Sequence, residues 1–174
     1  MNFLTKLFGL EPDPREEMRP LWHRVVEMAR DPDWYAAAKV ADTVDGRFDM
    51  IIAVLCVVLV RLEASDALRG KSALLTEFFV EDMDGQLREF GVNDVVVGKR
   101  MGRLMSVMGG RLGAYRPALN ARDGDKLSAA IERNVSFAED GSAGAVRDHL
   151  MHFAERLEML DDAAMIEAKA VSLR

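Results

Sequence analysis

The sequence has little of several features that would define a class of function. It contains one cysteine, Cys56, so no disulfide can form within the chain, which fits a reducing compartment. Cys56 lies in an apolar run, where we expect a small buried side chain, because reactive thiolates need electropositive surroundings. Lys and Arg total 23 against 29 Asp and Glu, a net charge of −6. We therefore expect no DNA binding, which requires a basic footprint.

Long apolar runs and targeting signals are also missing. The longest apolar run, MIIAVLCVVLV at residues 50–60, falls well short of the roughly 20 residues that span a bilayer. The N-terminus, MNFLTKLFGLEPDP, has one lysine, an interrupted apolar stretch and no small-residue cleavage site, so we expect no secretory signal. Residues 1–12 instead predict an amphipathic segment that docks on its own domain, or contacts a membrane or a partner.

The sequence lacks the residue spacings of the known metal-binding and phosphate-binding loops. The stretch FFVEDMDGQLREFGVNDVVVGKRM, residues 78–101, holds a DMD triplet and a Gly-Lys pair. The triplet lacks the spacing of a calcium loop, and Lys99 lacks the upstream glycine and the following Ser or Thr of a phosphate loop. No nucleophile–base spacing or nucleotide fingerprint occurs. We predict no catalytic site, no metal and no cofactor.

Two groups of ligand-type side chains keep a second hypothesis open, a small metal-dependent helical enzyme. His149 and His152 share one side of a predicted helix, but the HExxH pattern is absent and a solvated helix face is the preferred interpretation. Asp82 and Glu89 lie on one polar stripe of another predicted helix. A metal site would have to use one of these pairs.

Helical patterning is what the sequence does have. Five prolines and few aromatic residues accompany eleven methionines. We predict a single compact all-α domain of about seven helices over residues 13–160. The C-terminal tail, residues 161–174, offers little core, and we expect it to be mobile or bound to a partner. The predicted helices begin at Asp13, with a kink or restart at Pro20, and continue with a short one after Asp31 and longer ones at 46–63, 67–90, 94–108, 115–121, 123–135 and 143–160.

The segment 46–63 is the predicted centre of the fold. It is apolar on every side, which indicates a helix surrounded by the rest of the domain, and its length favours a helix over a strand. Asp45 or Asp49 is the predicted cap at its start. Gly91 and Gly109-Gly110 are predicted to end the helices before them.

The stretch 78–101 predicts two amphipathic helices. Asp84 and Arg88 form a surface pair at i,i+4. Asp82, Gln86 and Glu89 form a stripe that either pairs internally with a basic residue or faces a partner. The candidate basic partners are Arg47, Lys99 and Arg100. The inward face of the first helix is predicted to hold Leu75, Phe79, Met83, Leu87 and Phe90. Asp94 is the predicted cap of the second helix, which points Lys99 and Arg103 outward. The inward face of the second helix is predicted to hold Val97, Met101, Leu104, Met105 and Met108.

Four stretches resemble a known family. They are LWHRVVEMARDPDWY, ADTVDGRFDM, FFVEDMDGQLREFGVNDVVVGKRM and the ERN around Arg133. In this order, over about residues 21–137, they resemble the ubiquinol–cytochrome c chaperone family, whose members are assembly factors of the cytochrome bc complex, respiratory complex III. The strings DTVDGRF and FxxDMDxxLREFGVxDxxVGK are long and unusual, so the resemblance is specific.

The resemblance implies an all-helical chaperone that is not an enzyme and uses no cofactor. Its expected partner is newly made cytochrome b, or another subunit of the complex, bound before assembly. Mitochondrial members work with a small partner protein and the ribosome; both stay open for this chain. The N-terminus lacks the composition of a mitochondrial transit peptide, so we expect a bacterial-type, cytoplasmic member, peripheral at the cytoplasmic face of the inner membrane. A generic scaffold for membrane complexes is a third hypothesis.

The candidate partner-binding residues lie in the loop before the central helix and on the two amphipathic helices. The loop either caps the helix and shapes the turn, or presents a charged recognition surface, and both interpretations stay open. The candidates are Asp42, Thr43, Asp45, Gly46, Arg47, Asp82, Gln86, Arg88, Glu89, Asp94, Lys99 and Arg103.

Overall fold

The computed structural model describes residues 13–89 and 94–173, without the side chains of Leu87 and residues 94–97. The described chain is helical, as predicted; within it, β structure is limited to an isolated antiparallel bridge between Val40 and Phe137. A 3-10 turn at Glu16–Met18 precedes the first helix. The α-helices are α1 Arg19–Ala29, α2 Asp33–Ala36, α3 Val44–Glu63, α4 Lys71–Glu89, α5 Asp94–Asn120, α6 Gly124–Asn134, α7 Ala143–Glu158 and α8 Asp162–Glu167.

Helix α3 is the centre of the fold, as its apolar sequence predicted. Every residue from Met50 to Leu59 is buried, with α1, α4, α5 and α7 packed around it. The predicted cap is wrong, because Thr43 caps α3: its side-chain oxygen accepts from the Gly46 amide at 3.1 Å. Asp49 lies inside the helix, where its carboxylate is free for a tertiary role.

The restart at Pro20 and the inward face of α4 also follow the prediction. Pro20 lies in the first turn of α1, where its missing N–H costs no helical hydrogen bond. Leu75, Phe79 and Met83 are buried on α4. Phe78 is buried as well, with the guanidinium of Arg19 lying 4.8 Å from its ring centroid. The predicted inward positions Leu87, Phe90 and Val97, the stop at Gly91 and the amphipathic segment 1–12 lie outside the described residues and side chains.

Helix α5 corrects the prediction of two separate helices. It runs unbroken from Asp94 to Asn120, through Gly109-Gly110 and Pro117. Each glycine costs about 1 kcal/mol relative to alanine, but it ends a helix only if the chain turns there. Burial of Met108 and Tyr115 on either side of the glycines holds the chain helical. Met101, Leu104 and Met105 are only partly buried against the core.

The C-terminal segment also differs from expectation. The prediction that it offers little core is wrong: Met165, Ala168 and Val171 are buried, and α8 packs against α1. The Arg24 Nε donates to the Val171 carbonyl at 2.9 Å, which ties the segment to α1. The C-terminal segment therefore packs on the helices before it. Among the helices of residues 13–89 and 94–173, none has the length and apolarity to cross a membrane.

Candidate functional site

The candidate site is a cleft between the first turns of α3, the middle of α5 and the end of α6. Its volume is about 640 Å³. Three of the stretches that carry the family resemblance meet here, because ADTVDGRFDM, the end of VVVGKRM and the ERN segment each contribute side chains. Its lining residues are Asp45, Phe48, Asp49, Arg100, Arg103, Leu104, Val107, Arg111, Arg133, Asn134, Val135 and Ser136.

Asp49 joins the three elements at the floor of the cleft. Asp49 is 5% exposed, and it is the one buried charged residue among those that the structure describes. Arg111 Nη2 on α5 donates to Asp49 Oδ1 at 2.7 Å. Ser136, just after α6, donates its backbone N–H and its hydroxyl to Asp49 Oδ2 at 2.9 and 2.8 Å. A buried carboxylate with this many donors is a satisfied anchor that holds α3, α5 and the end of α6 together.

Sequence reasoning missed this anchor. Local patterning assigns Asp49 to a cap and gives no role to Arg111 or Ser136. Its two partners lie 62 and 87 residues along the chain, beyond the reach of local periodicity. One signal in the sequence could have found it: Asp49 directly precedes the apolar run of a helix predicted to be central. A charged side chain buried at such a position needs a partner.

Arg111 and Tyr115 leave donors unused beside this anchor. Arg111 Nε and Nη1 and the Tyr115 hydroxyl are buried without a hydrogen-bond partner in the described part of the chain. Burial raises the pKa of the Tyr115 hydroxyl well above its ordinary value, so the group stays protonated. On α3, burial raises the pKa of the Cys56 thiol to about 12, and an undissociated thiol is a poor nucleophile.

The walls of the cleft carry three exposed arginines. Arg100 and Arg103 come from α5, and Arg133 from the end of α6. Unlike Arg111, none of the three forms an ion pair with another described residue. Lys99 and Arg103 are both exposed, as the helical spacing of α5 predicted. The partly buried Phe48, Leu104 and Val107 line the same cleft.

The loop before α3 has a structural role at most of its predicted positions. Thr43 is the cap of α3. An added Cβ at Gly46 would lie 2.0 Å from the Ala41 carbonyl oxygen, so the close approach of the loop to the helix requires glycine. Arg47 Nε donates to Asp42 Oδ1 at 2.6 Å, which holds the pKa of the Asp42 carboxyl below its usual value. Asp45 alone of the predicted loop residues lines the cleft.

The polar stripe of α4 lies apart from this cleft. Of the two predicted alternatives, pairing with a basic residue or facing a partner, the first is not found for Asp82 among the described residues. Asp82 Oδ2 instead accepts from the Trp22 indole Nε1 at 2.8 Å, which fixes a neutral buried side chain of α1. Gln86 and Glu89 are exposed.

The surface pair of Asp84 and Arg88 is confirmed, with Arg88 Nε 2.6 Å from Asp84 Oδ2. The predicted capping role of Asp94 lies outside the described side chains.

The histidines of α7 lie in an aromatic contact and a helix-surface pair. His149 packs edge-on against Trp34, with ring centroids 5.4 Å apart. His152 Nδ1 lies 3.8 Å from a carboxylate oxygen of Glu155. Within residues 13–89 and 94–173, no group of three or more His, Cys, Asp or Glu side chains could hold a metal ion.

Comparison with known proteins agrees with the motifs. The family model described as Ubiquinol-cytochrome C chaperone matches residues 36–171. The chain is also similar to a solved structure, the Cbp3 homolog from Brucella abortus, with 29% identity and a TM-score of 0.77. The alignment covers 96% of this chain and 94% of that one. Among curated proteins, none matches the sequence. Because the family match spans most of its length, this chain belongs to the ubiquinol–cytochrome c chaperone family.

Proposed function

We propose that this protein is an assembly chaperone that binds newly made cytochrome b and supports biogenesis of the ubiquinol–cytochrome c reductase complex. The observation that carries the proposal is the family match over residues 36–171, which includes the cleft-forming parts of α3, α5 and α6. The similarity to the Brucella abortus Cbp3 homolog over nearly the whole chain supports it.

The chemistry of the cleft favours binding over catalysis. Its buried carboxylate, Asp49, is occupied by Arg111 and Ser136, so it is not available as a general base. Apart from the exposed carboxylate of Asp45, the charged and partly buried apolar side chains on its walls are arginines and Phe48, Leu104 and Val107, which recognise partners but are poor nucleophiles and bases. The proposed mode of action is therefore binding of a client without a chemical step.

The proposed place of action is the cytoplasmic face of the inner membrane, where a nascent apolar client would be met. Peripheral contact with the membrane, the ribosome or a small partner protein would bring the chaperone to that client. Another subunit of the same complex is the alternative client.

Deletion of the gene tests the proposal. We expect complex III to fall selectively, with other respiratory complexes unchanged, and cytochrome b to copurify with the tagged protein from wild-type cells. Normal complex III content in the deletion strain would contradict the proposal, and an equal fall of every complex would instead indicate a generic scaffold.

A measurement of metal content tests the second hypothesis, the metal-dependent enzyme. Stoichiometric metal in the purified protein, lost on Asp82→Asn or His149→Ala, would indicate the metal-dependent enzyme.

A further inference from the structure

Arginines without ion pairs gather at the cleft. In the described chain, most arginines are neutralised by a carboxylate: Arg61 lies 3.2 Å from Asp162, for example. Three of the arginines that form no ion pair line the cleft. In a chain of net charge −6, such a gathering does not follow from a general basic excess. The described arginines without an ion pair are Arg30, Arg100, Arg103, Arg133 and Arg156.

The carboxylates of the cleft do not neutralise these cations. Asp49 is engaged by Arg111 and Ser136, which leaves the exposed Asp45 as the other acidic side chain of the lining. The unpaired arginines outnumber it, so the cleft carries an excess of positive charge. A concave site with low-dielectric walls focuses such a field and attracts anions.

Arg111 adds unused donors at the floor. Its Nη2 is bonded to Asp49, while its Nε and Nη1 have no acceptor among the described residues, and a buried guanidinium without acceptors is costly. Both nitrogens are shielded from solvent in this structure. An acceptor from a partner would reach them after a shift of neighbouring side chains and would remove that cost.

Cations and apolar side chains share the face of α5 that lines the cleft. Arg100, Arg103, Leu104 and Val107 lie at i, i+3, i+4 and i+7, the spacing of one helix face. Phe48 of α3 adds a further apolar side chain. Guanidinium groups bind carboxylates through charge-assisted, often bidentate, hydrogen bonds. A ligand that fits this surface carries carboxylates next to apolar side chains.

The shape favours a polypeptide over a membrane surface. Basic membrane-binding faces lie against a plane of headgroups, whereas these arginines surround a concavity of about 640 Å³. We propose that the cleft binds an acidic segment of a partner polypeptide, whose carboxylates pair with Arg103 and Arg133 and whose apolar side chains contact Leu104 and Val107. This rests on the proposed function, because the segment would belong to the client or to another subunit of its complex.

A synthetic peptide tests the chemistry directly. The probe is a fluorescent peptide with glutamates on both sides of a Leu-Phe pair, and its control replaces every glutamate by glutamine. We expect the full-length protein to bind the glutamate peptide, measured by fluorescence anisotropy, and to bind it more weakly as salt is raised. Equal binding of the glutamine peptide, or no binding of either peptide, would overturn the proposal.

Matched double variants locate the binding. We expect Arg103→Gln with Arg133→Gln to weaken peptide binding about tenfold, because two charge-assisted contacts are lost. Arg30→Gln with Arg156→Gln removes the same charge from unpaired arginines outside the cleft lining, and we expect it to bind like the wild type. Thermal melts check that both variants fold. Equal weakening in both would show nonspecific attraction and would overturn the assignment of the cleft.

Phosphatidylglycerol vesicles and complementation separate the remaining alternatives. Vesicle binding that depends on Arg103 and Arg133, without peptide binding, would assign the cleft to a lipid surface and overturn the proposal. If deletion lowers complex III but the Arg103/Arg133 variant restores it fully, the proposed function stands and the cleft proposal fails. If the cleft binds the peptide while deletion leaves complex III intact, the binding chemistry stands and the proposed client is wrong.

Discussion

At the scale of single residues, Asp49 shows how a buried charge can hold three elements together. Moving a carboxylate and a guanidinium out of water costs several kcal/mol per ion, and the cost is offset only when the pair is close and further hydrogen bonds complete it. Asp49 meets these conditions through Arg111 and through both donors of Ser136. Its contribution therefore depends on all three bonds being present.

Replacing Asp49 by alanine should be strongly destabilising. The change leaves the Arg111 guanidinium without its counter-ion at a site where its side chain is only 12% exposed. We expect the free energy of unfolding to fall by about 3–5 kcal/mol, measured by urea denaturation followed by circular dichroism. Asp45→Ala, one turn earlier and exposed, should cost less than about 1 kcal/mol, from weaker interaction with the helix dipole. Similar losses in the two variants would contradict the anchoring role.

Two glycines of the described helices should respond in opposite directions to alanine. At Gly46 the new methyl group would lie 2.0 Å from the Ala41 carbonyl oxygen, so the backbone must move, and we expect a loss of about 3 kcal/mol. At Gly110 no atom outside the local helix backbone lies within 4 Å of the added methyl group, so the better helix propensity of alanine should raise stability by about 1 kcal/mol. Thermal denaturation of both variants measures the difference, and stabilisation at Gly46 would refute the close approach.

At the scale of elements, the C-terminal segment gains its order from α1 and α3. Helix α8 is short, and Met165 is the residue it buries. Arg61 on α3 donates to the carbonyls of Leu157 and Leu160 at 3.0 and 2.7 Å, and so satisfies groups left open at the end of α7. These contacts place the segment on the body of the domain, although its own sequence has little apolar patterning.

A pair of methionines tests this docking. Met165 is fully buried and Met159 is 78% exposed, so their truncation to alanine removes similar atoms from opposite environments. We expect Met165→Ala to lower the free energy of unfolding by about 2–4 kcal/mol, and Met159→Ala to change it by less than about 0.5 kcal/mol. Chemical denaturation gives both values. Equal, small effects would mean that the segment does not contribute to the core.

At the scale of the whole molecule, α3 is the central element, covered by α1, α4, α5 and α7. Its residues from Met50 to Leu59 are buried, so their amides can reach solvent only when the surrounding helices separate. The exposed residues between α3 and α4, such as Asp66 and Gly70, lack this cover. Local stability should therefore be highest along α3.

Hydrogen–deuterium exchange measures this gradient. We expect peptides covering residues 50–59 to exchange with the free energy and the urea dependence of global unfolding, because no smaller opening exposes them. Peptides covering residues 65–70 should exchange much faster and with little urea dependence. Fast exchange at 50–59 under native conditions would contradict a central position for α3.

Several features were predictable because their cause is local. The apolar sequence of 46–63 predicts a surrounded helix, and the i,i+4 spacing of Asp84 and Arg88 predicts their ion pair. The end of a helix was less predictable: Gly109-Gly110 has the composition of a stop, yet α5 continues because flanking residues are buried against α3 and its neighbours. Glycine permits a turn without requiring one, so packing decides.

The sequence by itself determined the all-helical class, the central helix and the family, because periodicity and motif order are properties of neighbouring residues. The tertiary structure decided which carboxylate is buried, how the C-terminal segment docks, and that unpaired arginines of α5 and α6 surround one cleft. Those features join residues far apart in the chain, such as Asp49 with Ser136, whose meeting depends on how whole helices pack. Local patterns carry no record of that packing, so only the folded chain reveals it.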